Sequence, residues 1–388
     1  MASFKVGSVF GIPIKLDSTL LLILPVMAWL IGSQVGVSAE QFNQLFGLTF
    51  DSAALSTGIT PYLLGGSAAV GLFIAVLLHE LGHSVVAMRY GFPIDSITLW
   101  ILGGIAQLSD QPEDWRQEML IAFAGPVVSI AIGAIAYVGV GFIPTGMDGV
   151  QFVVAYLSVT NFILAVFNLI PAFPMDGGRV LRAFLARNRP FAQATQRAAE
   201  VGKFLAFLIA IVGLFANLFL ILIAFFIYMG ASGESQRTTM NAAFEGVSVK
   251  DIMTPKAELK TVSLDTTVAE LLDRMFRERH TGYPVMANGR VVGMVTLEDA
   301  QSVKEVERDA YRVEDVMTSE LATVSPETTA MEAFETMQEA GIGRLLVIEN
   351  DELAGLISRT DLVTALNVIT STGGVSRRAV SESDIRQG

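Results

Sequence analysis

The chain has 388 residues, is 52% hydrophobic and only 16% charged, and carries a net charge of −12; soluble domains average about 25% charged residues. An acidic balance without a basic tract excludes a nucleic-acid-binding tail. The lack of cysteine excludes disulfides and thiolate metal ligands, leaving histidine and carboxylates for any metal site.

From Glu245 onward there are 25 acidic residues against 15 basic ones, so a membrane part precedes a soluble acidic part. The first apolar run, Ser18–Val35, approaches the ~20 residues needed to cross a bilayer. No small-residue cleavage pattern follows it, so the run is expected to be retained. The second run is Tyr62–Met88, and between Leu63 and Met88 its only titratable side chains are His79, Glu80 and His83. Such groups are expensive at membrane depth and mark functional sites. The spacing is His-Glu-x-x-His. Helical residues four apart share a face, so His79 and His83 can present both imidazoles to one metal ion. Glu80 stands ~100° away around the axis, where it reaches a water activated by the metal rather than the metal. A chance match is the alternative, and it is the weaker reading inside a span, where unpaired polar groups are rarely tolerated.

Ser96–Leu108, with β-branched residues and Gly103-Gly104 at its centre, reads as strand–turn–strand. Its free edge could hold an extended peptide by strand addition; an ordinary surface hairpin fits equally well. A third span is expected over Met119–Ile143 and a fourth over Phe152–Ile170. Val201–Met229 is too long for one untilted span and is broken at Gly213 and Ala216-Asn217. Extended back to Ala198, it reads as two short spans in a hairpin, which gives about six. Lys5, Lys15, Arg89, Arg116, Arg179, Arg182, Arg187, Arg189 and Arg197 fall in the flanks and loops of one side, while 36–61 and 144–151 hold no Lys or Arg. That bias places both termini in the cytoplasm of a multi-pass protein of the cell membrane.

A catalytic zinc takes three protein ligands and a water. The only other histidine, His280, lies in the soluble part, so the third ligand should be a carboxylate. Asp176, in Asn168-Leu-Ile-Pro-Ala-Phe-Pro-Met-Asp-Gly-Gly-Arg179, is the best-placed acid. Pro171 and Pro174 break the helix, and Gly177-Gly178 lets backbone pass close to another element; a loop in which Asp176 only binds amides is the alternative. Spans two and four both run from outside to inside. His83, ~8 Å before the inner end of its span, and Asp176 therefore emerge at one level.

The helical His-Glu-Leu-Gly-His, the Gly-Gly hairpin, Gly125-Pro126 and the Asn-x-x-Pro-x-x-Pro-x-Asp-Gly-Gly stretch resemble the site-2 protease family of intramembrane metalloproteases, over about residues 1–235. The resemblance implies Zn2+ bound by His79, His83 and Asp176, with Glu80 as catalytic acid/base. It also implies that Asn168 helps to hold the substrate or its oxyanion, and that the substrate is a membrane-anchored protein met within the lipid bilayer. Gly7–Lys15 also looks like that family. Asp17 stands where many members have a histidine, and no role is assigned to it.

Ala231–Gly246 is polar and small and reads as a linker, 236–246 in the domain division. Beyond it Val249-Lys-Asp-Ile-Met-Thr254 recurs as Val313-Glu-Asp-Val-Met-Thr318, and Gly293-Met-Val-Thr296-Leu-Glu-Asp299 as Gly355-Leu-Ile-Ser358-Arg-Thr-Asp361. This repeat, about 247–304 and 311–370, resembles a tandem pair of cystathionine-β-synthase-type (CBS) domains, an α+β fold. The resemblance implies an adenine nucleotide between the copies, with Thr296, Asp299, Ser358 and Asp361 at its site, and leaves a homodimer through the pair open. Capping of the closing helices is the alternative for both carboxylates. His280 reads as a partly exposed structural residue, and 371–388 as a disordered tail.

The expectation is a polytopic α-helical membrane domain with a membrane-associated β-hairpin, followed by a soluble tandem CBS pair. Functionally it is an intramembrane zinc endopeptidase regulated by that pair. The rival is a CBS-gated ion channel or transporter in which His79, Glu80, His83 and Asp176 line the ion path; an inactive scaffold is a third reading.

Overall fold

Asp17 opens the membrane part of the structure. It ends a β-hairpin of β1 (Ser3–Val9) and β2 (Ile12–Asp17) and caps α1 (Ser18–Ser33), its Oδ1 accepting from the Thr19 backbone at 2.9 Å and the Thr19 hydroxyl at 2.7 Å. The computed structural model describes residues 3–101, 103–108, 112, 114–350 and 352–371, in two compact units, Met1–Gln236 and Arg237–Gly388. The expected disordered tail falls, after Ser371, outside the described residues.

In the first unit α1 is followed by α2 (Val35–Phe46), α3 (Ser52–Leu55), α4 (Thr60–Arg89), β3 (Ile94–Trp100), β4 (Gly103–Leu108), α5 (Trp115–Val140), α6 (Asp148–Asn168), α7 (Asp176–Ala186), α8 (Phe191–Phe215) and α9 (Leu218–Ala243). Five of these helices are long and apolar enough to cross a membrane, and six if α1 and α2, bent by 63°, count as one span. Large apolar side chains such as Phe204, Phe207, Phe219 and Phe225 point outward. A helix apolar all round suits lipid, not water.

The sheet order is β1-β2-β3-β4, with β2 and β3 parallel. Ile12, Ile14, Ile97 and Leu99 from the sheet bury against Leu20 of α1 and Leu81 of α4, which pins β3 and β4 beside the histidine helix. Gly103 and Gly104 lie in β4 rather than in the turn. Gly104 serves close approach: a Cβ there would stand 2.4 Å from Glu80 Cγ, a common reason for glycine inside a strand.

The linker expectation is corrected. Residues 231–243 continue α9 without interruption. Where this stretch begins, small size serves packing: Ala231 is fully buried with Phe173, Ala198 and Ala199, and just before it a Cβ on Gly230 would lie 2.5 Å from Pro174 Cδ. Residues 35–46 and 176–186 are helices too, although they read as loops; both are short, with only a few residues turned to the core.

The second unit contains α10 (Val249–Ile252), β5 (Thr254–Pro255), β6 (Val262–Ser263), α11 (Val268–Glu278), β7 (Gly282–Ala287), β8 (Arg290–Thr296), α12 (Leu297–Gln301), α13 (Val313–Val316), β9 (Thr323–Val324), α14 (Ala330–Glu339), β10 (Arg344–Glu349), β11 (Glu352–Ser358) and α15 (Arg359–Ser371). The two sequence copies exchange their opening segments. β5 pairs with β11 of the second copy, and Val249 is buried with Leu345, Val347 and Ile357. Val313, which opens the second copy, is buried with Val268, Leu271 and Tyr283 of the first. The repeat boundaries at 247–304 and 311–370 are thus not the boundaries of the two cores: each opening segment finds its strand edge and apolar cavity in the other copy. His280 is exposed and stands edge-on to Tyr283 at 6.0 Å.

Candidate metal centre and active site

The histidine face of α4 turns inward. His79 is 4% and His83 5% exposed, and Asp176, the first residue of α7, is 9% exposed. The Asp176 Oδ2 lies 3.1 Å from each imidazole Nε2, and the two Nε2 atoms are 3.2 Å apart. A tetrahedral ion bound at ~2.0–2.1 Å spaces its ligands by about 3.3 Å, so this triangle is the right size. The other ring nitrogens are occupied. His83 Nδ1 donates to the Ile121 carbonyl at 2.7 Å, and His79 Nδ1 is 2.8 Å from Ser129 Oγ. Both partners are on α5. A donating Nδ1–H leaves the Nε2 lone pair free, so three lone-pair donors converge on one point and a cation fits them. Among the described residues this is the one group of three His, Cys, Asp or Glu side chains arranged to hold a metal.

Backbone makes the room. Gly125 of α5 sits against both rings: a Cβ there would be 2.2 Å from His83 Nε2 and 2.5 Å from His79 Nε2. The Pro171–Met175 loop, with a cis Phe173-Pro174 bond, turns the chain from α6 into α7 and buries Ala172, Phe173 and Met175. Gly177 and Gly178 are needed by that turn, since a Cβ would lie 2.2 Å from the Ile170 carbonyl oxygen in one case and 2.6 Å from the Phe173 nitrogen in the other. The positive end of α7 favours a carboxylate at its first residue.

Glu80 is half-buried and contributes no atom to the triangle; its side chain lies on the flank that faces Gly104 of β4. Asn168 closes α6, half-buried, and makes none of the hydrogen bonds that hold the triangle. Sequence reasoning missed Ser129 and the Ile121 carbonyl. One signal was available: Ser129 stands four residues after Gly125, on the same helical face.

The chain is 34% identical over 368 residues to a zinc metalloprotease of Methanocaldococcus jannaschii, covering 95% of this chain and 97% of that one. The pattern of Peptidase family M50 matches residues 67–146 and 144–209, and that of the CBS domain matches 249–303 and 313–368. The chain belongs to peptidase family M50, the site-2 proteases. It is a multi-pass membrane zinc metalloprotease that carries a tandem CBS pair. It is also 31% identical to the protein named Rip3 of Mycobacterium tuberculosis, over 80% of this chain and 82% of that one. The solved site-2 protease from Methanocaldococcus jannaschii shares 34% identity, with 60% of this chain and 95% of that one covered at a TM-score of 0.41.

In the CBS pair of this protease, Asp299 Oδ2 accepts from the Thr296 backbone at 2.8 Å and hydroxyl at 2.7 Å. Asp361 Oδ2 accepts from the backbone and hydroxyl of Ser358 at 2.9 and 2.7 Å. Both carboxylates therefore cap their own helices through one oxygen. Arg344 was not anticipated. It occupies the repeat position of Gly282, which has no side chain to obstruct it, and its guanidinium donates to Thr281 Oγ1 of the other copy. Burial pushes its pKa down, opposed by the nearby Asp361 carboxylate; an arginine stays charged regardless.

Proposed function

We propose that this protease is an intramembrane endopeptidase that holds one zinc ion on His79, His83 and Asp176 and cleaves membrane-anchored proteins in or near their spans. The observation that carries the reading is the 3.1–3.2 Å triangle of two Nε2 atoms and a carboxylate oxygen, with both Nδ1 atoms already engaged. Zinc bound there supplies a Lewis acid that polarises a peptide carbonyl and acidifies water. Glu80 takes the proton from the attacking water on its carboxylate and delivers it to the leaving nitrogen. Asn168, on the segment that leads to Asp176, helps to hold the substrate. The edge of β4 away from β3 pairs with no strand among the described residues. An extended peptide added to that edge passes Gly104 and so lies against Glu80. The reading is tested by comparing wild type with Glu80→Gln on a single-span substrate while zinc content is followed. The channel reading is less favoured, because a closed triangle of tightly held ligand atoms binds an ion rather than passing it.

Orientation is part of the proposal. The Lys/Arg bias supports both termini and the CBS pair in the cytoplasm of a cell-membrane protein, and the meeting of His83 of α4 and Asp176 of α7, each followed within a few residues by arginine, agrees with their basic flanks sharing one side. A cysteine introduced at Ser52 is expected to be labelled by an impermeant thiol reagent from outside intact cells. Labelling only after the cells are opened would refute the orientation.

The CBS pair is proposed to bind an adenine nucleotide between the copies. The remaining carboxylate oxygens of Asp299 and Asp361 would take ribose hydroxyls, Thr296 and Ser358 would lie beside them, and Arg344 would supply the cation for a phosphate. Calorimetry on the purified full-length protein is expected to show heat with AMP, ADP or ATP. Asp299→Asn with Asp361→Asn, which keeps an acceptor for each helix cap, should weaken binding about tenfold or more. No heat with any of the three nucleotides would remove the ligand. Bound nucleotide that leaves cleavage unchanged would remove regulation, for which typical couplings are about 5–150-fold.

A further inference from the structure

Arg182 lies on α7, six residues beyond Asp176, and is only 3% exposed. Arginine is almost never so buried unless paired. Its Nε donates to Glu118 Oε1 at 2.6 Å, its Nη2 is 2.5 Å from the same oxygen, and its Nη1 donates to Glu234 Oε1. The guanidinium also lies over two rings, 5.2 Å from the centre of Phe173 and 4.7 Å from that of Phe191. One side chain thereby fastens α7 to α5, to α9 and to the loop that delivers Asp176.

The location of Glu118 gives this tie its meaning. It is 1% exposed and lies on α5, one turn before Ile121 and two turns before Gly125. Those are the residues whose carbonyl and bare Cα set the imidazoles. The histidines are therefore oriented from α5 and the aspartate from α7, and the Arg182–Glu118 pair joins these two supports. Buried ion pairs are weak contributors to stability when compared with apolar packing of the same volume. A metal centre tolerates errors of only about 0.5 Å in its ligands, which a forked, planar guanidinium can enforce and a point charge cannot.

We propose that Arg182, held by Glu118 and Glu234, is a positioning residue that sets Asp176 against the two histidines. The inference rests on the zinc reading above. The test uses purified full-length protein and the variant Arg182→Lys, with Arg197→Gln, which removes an exposed pair with Glu200, as control. Zinc release to a chelator, kcat and KM on a single-span substrate, and the unfolding midpoint of the metal-free protein are measured. Arg182→Lys is expected to weaken zinc retention and lower kcat by about 10–100-fold, as changes behind a metal ligand do. KM should stay near wild type, the metal-free protein should remain folded at the assay temperature although its unfolding midpoint falls, because disturbing a buried pair costs stability, and the control should match wild type throughout. If Arg182→Lys does not fold, Glu118→Gln, which keeps the shape and one acceptor, should shift zinc release in the same direction. Unchanged zinc release and kcat with a lowered unfolding midpoint would show a merely structural tie and overturn the proposal. A wild type that holds no zinc would overturn the metal reading itself, and this inference with it.

Discussion

Replacing Glu80 by glutamine is expected to leave one zinc per chain and to lower kcat by about 10²–10⁴-fold, the usual worth of a positioned acid/base group. The substitution preserves shape and one acceptor oxygen but removes the ability to take a proton. Zinc should survive because Glu80 provides none of the three converging atoms, which belong to His79, His83 and Asp176. The fold should survive because Glu80 is half-buried and its oxygens hold no helix end; Ser84 Oγ donates to its backbone carbonyl, which glutamine retains. Metal analysis and turnover on the same preparation decide the matter. A zinc-loaded variant that cleaves at the wild-type rate would remove Glu80 from the chemistry.

Gly125→Ala should act in the opposite way, losing the metal itself. The new methyl would stand 2.2 Å from His83 Nε2, 2.5 Å from His79 Nε2 and 2.6 Å from His83 Cε1. None of these atoms is the far end of a flexible chain. His83 is tied to the Ile121 carbonyl and His79 to Ser129, both on the helix that carries Gly125. The rings must rotate away, breaking the triangle, or α5 must back off from α4. Overpacking of this kind costs about 1–3 kcal/mol, but the larger effect is on function: zinc content and cleavage should both fall to background. Gly139→Ala on the same helix, where nothing lies within 4 Å, should change neither. Stoichiometric zinc in the Gly125→Ala protein would mean that the imidazoles are not seated as described.

Much of the site is legible in the order of residues alone. The two histidines of α4, four residues apart in a run whose only other titratable side chain after Tyr62 is Glu80, share one helical face wherever that helix lies. The break at Ala216-Asn217 separates α8 from α9 as composition suggests. The fold departs from the local pattern where one sequence feature serves two physical purposes. Small residues at 230–233 look like a flexible connection, yet two of them are small because α9 packs closely on Pro174 and Ala198. Gly103-Gly104 looks like a turn, yet Gly104 is bare so that β4 can pass Glu80. Arg182 reads as one of several arginines marking the inner loops, and nothing local distinguishes it from exposed Arg197; only the folded chain brings Glu118 and Glu234 to it.

The sequence by itself determined what depends on neighbours along the chain: the apolar spans, the shared face of His79 and His83, the repeat in the second unit, and the expectation of a carboxylate beside the two histidines in a chain without cysteine. These follow from helical periodicity and from the cost of polar groups in an apolar medium, both of which act within a few residues. Tertiary structure alone decided that Asp176 meets His79 across 97 positions, that α5 orients both imidazoles, that Arg182 bridges three helices, and that the repeat copies exchange their opening segments. Each of these is a close approach between distant parts of the chain. Whether two such parts meet to within 3 Å is set by how helices and strands interlock, and that information is spread over all the packed residues between them.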